Sequence, residues 1–331
     1  MKKTFRVIAC LALVAVLVAT LAGCAKLNYV TNSTIKAIHE VKSGDWENGG
    51  SEAGTSGTEE GGATSAEGDP IVIDTFEAGT YGGIEFTSVE DVVKYYVEVF
   101  NYNKTLTAPY TEKGEAKQYY KLLGDEDLKI ASLLVDGKEN ATIMKLVPSI
   151  MGSLFNGSPK GLPPAANRDP VYDYRDDGPG GTQLSQLESH LTADDVLACN
   201  VKDNGDGTIT ITIQPKAAEL SFADQDSQGR FFNVLGDITG TVDQISVLSF
   251  SQGDANDNIT VTYKGGYGEI TVDTASKEVT KAYYIMKTHL DITHANVTII
   301  KDKSATMDLE YTNTFPASDD FLMKSREITR G

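Results

Sequence analysis

An alternation of apolar and polar residues between positions 259 and 315 limits the fold of this chain more than any other feature. Polar residues such as Thr306, Asp308 and Glu310 separate apolar residues at every second position. Because successive side chains of a strand point to opposite faces, this pattern predicts strands with one buried and one solvent-exposed face. Parallel strands need crossover helices between them, and no helical periodicity interrupts this stretch, so the sheet is predicted to be antiparallel. The apolar positions are Ile259, Val261, Tyr263, Ile270, Val272, Ala282, Tyr284, Met286, Leu290, Ile292, Val297, Ile299, Ala305, Met307, Leu309, Tyr311 and Phe315.

Turn signals divide this part of the chain into strands and add a hairpin before it. Residues 208–213 alternate Thr and Ile, and the Asn-Gly-Asp-Gly sequence at 204–207 predicts a turn from a strand at 196–202. Further turns are expected at residues 254–258, 265–266, 274–277 and 301–303. The sheet is therefore expected to contain six or more strands.

Two helices are expected to cover the apolar face of this sheet. Ser88 fits the N-cap of the first helix, with Asp91 three residues later and apolar residues at helical spacing as far as residue 101. The second pattern, at residues 141–156, is apolar over more than half of its circumference.

Two intermediate segments are less specific. Residues 112–123 fit a third helix, whereas residues 128–135 fit either a helix or a strand. The predicted fold class is α+β: an antiparallel meander sheet with two or three helices packed on one face. A curved half-barrel is one form that such a sheet can take, and the sequence leaves this point open.

The first 23 residues have the layout of a secretory signal peptide. Three bases precede an apolar run at residues 7–22, which is shorter than the ~20 residues that a membrane-spanning helix needs. The run ends in Leu21-Ala22-Gly23-Cys24, which resembles the lipobox of bacterial lipoproteins. That resemblance implies cleavage after Gly23 and lipid on Cys24, and two acyl chains are what stable anchoring takes. The alternative is an ordinary secretory signal with a chance cysteine.

The composition then predicts the remaining organisation of the chain. Residues 24–42 follow the anchor, and residues 43–69 contain eight glycines and seven acids but no base, which predicts a flexible, self-repelling tether. A globular domain is expected over residues 70–331, with a proline- and glycine-rich loop at 158–182 as a candidate internal boundary.

Charge and cysteine content exclude some function classes. The chain has a net charge of −18, and removing a signal with three bases and no acid makes it −21. Nucleic-acid affinity comes mainly from Lys and Arg that neutralise phosphates, so no nucleic-acid partner is expected. Cys199 is the only thiol beyond the signal and lipobox, and its apolar neighbours predict core packing rather than reactivity.

Two short motifs raise the question of a metal site. His289 and Asp291 share one face of a predicted strand, but His294 points away unless a turn redirects it, so at most two ligands converge. Residues 224–229 resemble the opening of a calcium loop, but Leu235 stands where that loop has its bidentate Glu. Both motifs are better explained as solvent-face residues and a loop, and no metal or other cofactor is predicted.

No catalytic constellation is evident in the sequence. Ser33-Thr34-Ile35-Lys36 matches the S-x-x-K motif of penicillin-interacting serine enzymes, but it lies outside the predicted domain and no K-T-G strand follows. The four histidines are scattered, and none is paired with a Ser or Cys. A non-enzymatic role is therefore expected.

Four segments within about residues 86–315 resemble a family of uncharacterised lipoproteins from Firmicutes. These segments are TSVEDVVKYY at 87–96, KLVPSI at 145–150, LTADDV at 191–196 and DNGDGTI at 203–209. The resemblance implies no particular activity. At the level of architecture alone, a lipid anchor with helices on a one-faced sheet is similar to the half-barrel carriers of lipids or lipoproteins in bacterial envelopes.

The predicted function is that of a lipoprotein held through Cys24 on the extracytoplasmic face of the cell membrane. One hypothesis is that it binds an apolar or lipid-like ligand between sheet and helices; the alternative is a surface-displayed structural or protein-interaction module of the envelope. The first hypothesis requires a cavity, whereas helix and sheet could simply bury each other. Its candidate ligand contacts are Ile150, Met151, Leu154, Tyr284, Met286 and Leu309.

Overall fold

The structure, a computed structural model, describes residues 69–139, 160–163, 188–234, 248–297 and 300–331. Its helices are α1 (Val89–Lys104), α2 (Ala255–Asn258) and α3 (Asp319–Arg326), with a 3₁₀ turn at Ala193–Asp195. Its strands are β1 (Gly79–Tyr81), β2 (Ile84–Phe86), β3 (Thr107–Glu112), β4 (Glu115–Tyr120), β5 (Leu123–Val135), β6 (Lys138–Glu139), β7 (Lys160–Gly161), β8 (Val196–Asp203), β9 (Thr208–Pro215), β10 (Ala218–Glu219), β11 (Leu248–Phe250), β12 (Ile259–Tyr263), β13 (Tyr267–Asp273), β14 (Val279–Val297), β15 (Ile300–Phe315) and β16 (Ile328–Arg330).

Most strands belong to one open antiparallel sheet. Its central order is β6-β5-β15-β14-β13-β9-β8, and the two end strands do not pair with each other. Strand β14 has 19 residues and is shared between two groups of strands: its first part pairs with β13, and its second part pairs with β12 and β11. The long β14–β15 pair therefore joins every part of the sheet. Separate small sheets are formed by β1–β2 and by β16-β3-β4.

Helix α1 is fixed at its start by a capping box. The Ser88 Oγ accepts a hydrogen bond from the Asp91 backbone N–H at 3.2 Å, and the Asp91 carboxylate accepts one from the Ser88 N–H at 3.1 Å. These bonds satisfy backbone donors that the first helical turn leaves without partners. One face of the helix is buried in the core; its apolar members are Val92, Val93, Tyr96, Val99 and Phe100.

An aromatic cluster joins α1 to the apolar face of the sheet. The Tyr96 ring stacks on Phe100 with centroids 5.5 Å apart, and Phe231 lies 5.4 Å from the ring of Tyr284 on β14. The hydroxyls of Tyr96 and Tyr284 share a buried hydrogen bond of 2.6 Å. Gly268 on β13 makes room for this cluster, because a Cβ there would lie 2.5 Å from the Tyr284 ring.

The structure confirms the predicted α+β class with an antiparallel meander sheet. It also confirms the first helix, the hairpin of β8 and β9, and the alternating strands β12 to β15. The helix predicted at residues 141–156 and residues 43–68 of the tether lie outside the described residues, as does nearly all of the 158–182 loop. Cys199 is 1% exposed, and burial raises the pKa of its thiol to about 11, in agreement with the predicted core position.

Two local predictions were wrong. Residues 112–123 form the end of β3 and all of β4 rather than a helix. Lys113 and Gly114 have φ values of 51° and 84°, as in the tight turns that join antiparallel strands, and such a turn interrupts any helix. Residues 301–303 lie within β15 rather than in a turn, although Asp302 has a positive φ of 54° beside irregular pairing with β14.

The buried tyrosine pair gives a test of the core. We expect Tyr96→Phe or Tyr284→Phe to lower the free energy of unfolding by about 1–3 kcal/mol, because each leaves one buried hydroxyl without its partner. The double variant should lose less than the sum of the two single losses, since no unpaired hydroxyl remains. Urea denaturation of all three variants measures this coupling.

Tyr283→Phe provides the matched control for this experiment. Tyr283 directly precedes Tyr284 on β14 and is only partly buried, on the opposite face of the sheet. We expect the free energy of unfolding of Tyr283→Phe to stay close to that of the parent protein. Strictly additive losses for Tyr96 and Tyr284 would contradict the coupling.

Candidate functional site

The solvent face of the sheet carries a polar row that crosses four neighbouring strands. Thr262 on β12 is paired in register with His289 on β14, and His289 is paired with Asp308 on β15. Asp308 is in turn paired with Ser132 on β5. Side chains at paired positions stand on the same face of a sheet, so the four polar groups are adjacent although they come from distant parts of the chain.

Within this row His289 lies between two carboxylates. Its Nδ1 is 2.6 Å from the Asp308 Oδ1, and its Nε2 is 3.3 Å from the Asp291 Oδ2. The Ser132 Oγ donates a hydrogen bond to the other oxygen of Asp308. The imidazole is therefore held in one orientation, with 41% of the side chain still exposed.

These contacts shift both pKa values of the pair. Partial burial by itself lowers the pKa of His289, but its hydrogen bond to Asp308 and the charge of Asp291 outweigh burial and raise it. Partial burial likewise raises the pKa of Asp308, while hydrogen bonds from Ser132 and His289 lower it overall. Both shifts favour the charged imidazolium–carboxylate pair.

Three members of the row, Thr262, His289 and Asp308, line an open groove of about 560 Å³. A second set of polar side chains lines the same groove: Lys264, Lys287 and Glu310. Lys287 and Glu310 are paired in register, but the Glu310 carboxylate accepts a hydrogen bond from Lys129 Nζ at 3.1 Å. The groove thus combines hydroxyl, imidazole, carboxylate and ammonium groups along one surface.

A β-bulge shapes the side of the groove formed by β5. Ser132 is paired with Asp308 and Ile130 with Leu309, so Ala131 is an additional residue in the ladder, and it lines the groove. A bulge bends its strand and increases the local twist, which re-aims the neighbouring side chains. The small side chain of Ala131 also leaves space beside Asp308.

The arrangement suits binding better than nucleophilic catalysis. A serine nucleophile is activated when its hydroxyl donates to a histidine base, but Ser132 donates to Asp308. Among the described residues, no hydroxyl or thiol lies within hydrogen-bond distance of the His289 ring. The same part of the chain contains no group of three His, Cys, Asp or Glu side chains placed to hold a metal ion.

The structure separates the residues of the suspected metal motif. His294 has a φ of 53° in an irregular part of β14, and its Nδ1 lies 2.7 Å from Asp302 rather than towards His289. In the suspected calcium loop, Asp226 accepts bonds from four groups of its own loop, and Asp224 contacts His190. These carboxylates are therefore engaged in local structure.

The described candidate contacts of an apolar ligand belong to the core. Tyr284, Met286 and Leu309 are at most 3% exposed and belong to the hydrophobic core, although Leu309 also borders the groove. Tyr284 contacts aromatic rings and the hydroxyl of Tyr96. The other three candidates, Ile150, Met151 and Leu154, lie outside the described residues, so a cavity between this segment and the sheet stays a prediction.

Comparison with protein-family models, with curated proteins and with solved structures gives no match. In the described part of the chain, no helix is both long enough and apolar enough to span a bilayer. The resemblance to a lipoprotein family, the lipobox at Cys24 and the location of the protein therefore stay predictions.

The sequence placed His289 and Asp291 on one face of a strand, within a metal motif that it did not favour, and it gave no sign of the partners that make the groove. Ser132 lies 176 residues before Asp308, so no local spacing connects them. Asp308 was recognised only as a polar position of an alternating strand. Charged residues recur on the polar side of β14 and β15. Pairing these two strands in register would have indicated the site.

The His289–Asp308 pair predicts a pH-dependent stability. The pKa of folded His289 is above its ordinary value of 6.5, so the contribution is complete below pH 6.5 and is lost as pH rises through the folded value. For Asp308 the sign is opposite: its contribution is present above its ordinary pKa of 3.8 and is lost as pH falls through the lower folded value.

We therefore expect the stability advantage of the parent protein over His289→Gln to shrink as pH rises from 6.5 through the raised pKa of the folded histidine. Urea denaturation across this range measures the difference. Asp308→Asn should weaken the same pH dependence, because it removes the closer partner of the imidazolium and leaves only Asp291. Parallel pH profiles for the parent protein and both variants would contradict an ion pair at this position.

Proposed function

We propose that this protein is a lipid-anchored, extracytoplasmic binding module that holds a small polar ligand in the groove around His289. The observation that carries the proposal is the row of four hydrogen-bonding side chains on four adjacent strands; its members are Thr262, His289, Asp308 and Ser132. The row is fixed by the sheet itself rather than by a loop. Sites on rigid elements hold their geometry more closely than sites on loops.

The size and chemistry of the groove support this role. Its volume of about 560 Å³ falls within the range of roughly 300–1,000 Å³ that is usual for small-molecule sites. Carboxylates accept hydrogen bonds from hydroxyl or amino groups, while ammonium groups donate to acidic oxygens. A ligand rich in polar groups matches this surface better than a hydrocarbon chain does.

An apolar ligand is the weaker candidate. Three residues predicted to contact such a ligand are described by the structure, and all are almost fully buried: Tyr284, Met286 and Leu309. Tyr284 is surrounded by Tyr96, Phe100 and Phe231. A ring cluster of this kind accounts for their burial by packing alone. The proposal is therefore closer to a surface-displayed module than to a carrier with an internal cavity.

The N-terminal sequence supports the proposed location. A lipid on Cys24 would hold the chain at the membrane, and the acidic tether at residues 43–69 would extend over roughly 30 Å. Because the tether has seven acids and no base, repulsion between its own charges favours an extended chain. The groove would then face the extracytoplasmic space.

The anchor is tested by replacing the proposed lipidation site. We expect Cys24→Ser to abolish incorporation of labelled palmitate and to move the protein from the membrane fraction to the soluble fraction, because no acyl chain can be attached. Fractionation and labelling of bacteria that express the full chain measure both effects. Cys199→Ser is the control and should change neither; labelling that persists in Cys24→Ser would contradict the anchor.

The groove is tested by filling it. We expect the full chain, isolated gently from membranes and examined by native mass spectrometry, to retain a non-covalent small-molecule mass. Thr262→Trp should abolish that mass, because the larger side chain occupies the groove beside His289. Thr260→Trp, two residues earlier on the same face and opposite Asp291, is the matched control and should retain it.

The alternative outcomes are distinct. A mass that is extracted by organic solvent and is unaffected by Thr262→Trp would favour an apolar ligand elsewhere in the fold. A bare polypeptide mass in both the parent protein and Thr260→Trp would count against a tightly held ligand in this groove.

A further inference from the structure

Two lysines of the groove occupy neighbouring positions on the outer face of the sheet. Lys264 directly follows β12, and Lys287 lies on β14 next to Thr288, which is paired with Tyr263. Both side chains line the groove. The register of β12 and β14 therefore places two ammonium groups on adjacent strands and on the same face of the sheet.

The neighbouring carboxylates form their short contacts with groups other than these two lysines. Glu310, opposite Lys287, bonds to Lys129 at 3.1 Å. Asp308 is engaged by His289 and Ser132, and Asp291 lies 3.3 Å from the same imidazole. Among the described residues, neither Lys264 nor Lys287 forms an ion pair with an acid.

Two adjacent and unpaired ammonium groups are unfavourable in the empty protein. Like charges directly opposite each other on neighbouring strands destabilise a sheet. The chain has 47 acidic residues against 29 basic ones, so two uncompensated cations in one groove stand out against a negative background. An anion bound between them would relieve the repulsion and form charge-assisted hydrogen bonds with both.

We propose that the ligand carries a carboxylate or phosphate group that binds between Lys264 and Lys287. This inference rests on the proposed function, because it names the chemistry of the ligand in that groove. The remainder of the ligand lies along Thr262, His289 and Asp308, whose hydroxyl, imidazole and carboxylate groups suit neighbouring hydroxyls. A sugar acid or a sugar phosphate has this combination of one anionic end and several hydroxyl groups.

The experiment uses four probes that share one sugar ring and differ in charge. Glucuronate, glucose 6-phosphate, glucose and glucosamine are titrated by calorimetry into the full chain purified in an uncharged detergent. We expect saturable binding of glucuronate, of glucose 6-phosphate, or of both, and which of them binds distinguishes a carboxylate from a phosphate ligand. Affinity should fall as salt is added, because the ammonium groups are partly exposed to solvent.

Substitutions then locate the anion. Lys264→Gln and Lys287→Gln should each weaken binding of the anionic probe by about tenfold, as expected for the loss of one charge-assisted hydrogen bond. Lys281→Gln is the matched control: Lys281 lies on the same face of β14, six residues before Lys287 and outside the groove lining, and its loss should leave affinity unchanged. Thermal unfolding of all three variants without probe confirms that they are folded.

Two results would overturn the inference. In the first, glucose or glucosamine binds, Thr262→Trp removes this binding, and neither lysine variant does. The groove then holds a ligand whose recognition does not depend on an anion, and the proposed function stands. If none of the four probes binds, the anionic inference fails, while the mass retained in native spectra reports separately on the proposed function.

Discussion

The pairing of β14 with β15 is the constraint on which the rest of the structure depends. These two strands run side by side through the middle of the sheet, and they contact β5 on one side and β13, β12 and β11 on the other. Because strand side chains alternate, a slip of one residue would exchange the two faces. The register that buries Tyr284 is thus the same register that places His289 beside Asp308.

The two faces of the β14–β15 pair lie in different environments. On the inner face, aromatic rings from α1 and β14 lie close enough for the Tyr96 and Tyr284 hydroxyls to form a hydrogen bond. This bond offsets the free-energy cost of burying a hydroxyl without a partner. On the outer face, water screens the charges, so imperfectly compensated groups such as Lys264 and Lys287 can be tolerated. This difference explains why candidate binding chemistry is found on the outer face and a packed core on the inner one.

The groove and the proposed anchor depend on different features of the chain. A lipid on Cys24 needs only a local motif that an enzyme can reach, and a tether needs only a composition that does not fold. The groove needs four strands in register, a bulge that leaves Ala131 as an additional residue, and a rigid core beneath them. A module of this type would separate attachment from recognition.

The sequence by itself determined the class of the fold, the first helix with its Ser88 cap and the strands with alternating residues, because these features depend on local periodicity and short-range hydrogen bonds. It also placed His289 and Asp291 on one face of a strand. Only the tertiary structure decided that residues 112–123 form strands, that Asp308 and Lys264 join His289 in one groove, and that Ser132 bonds to Asp308. Pairing between distant strands depends on which registers bury the whole apolar face at once, and no local pattern contains that information.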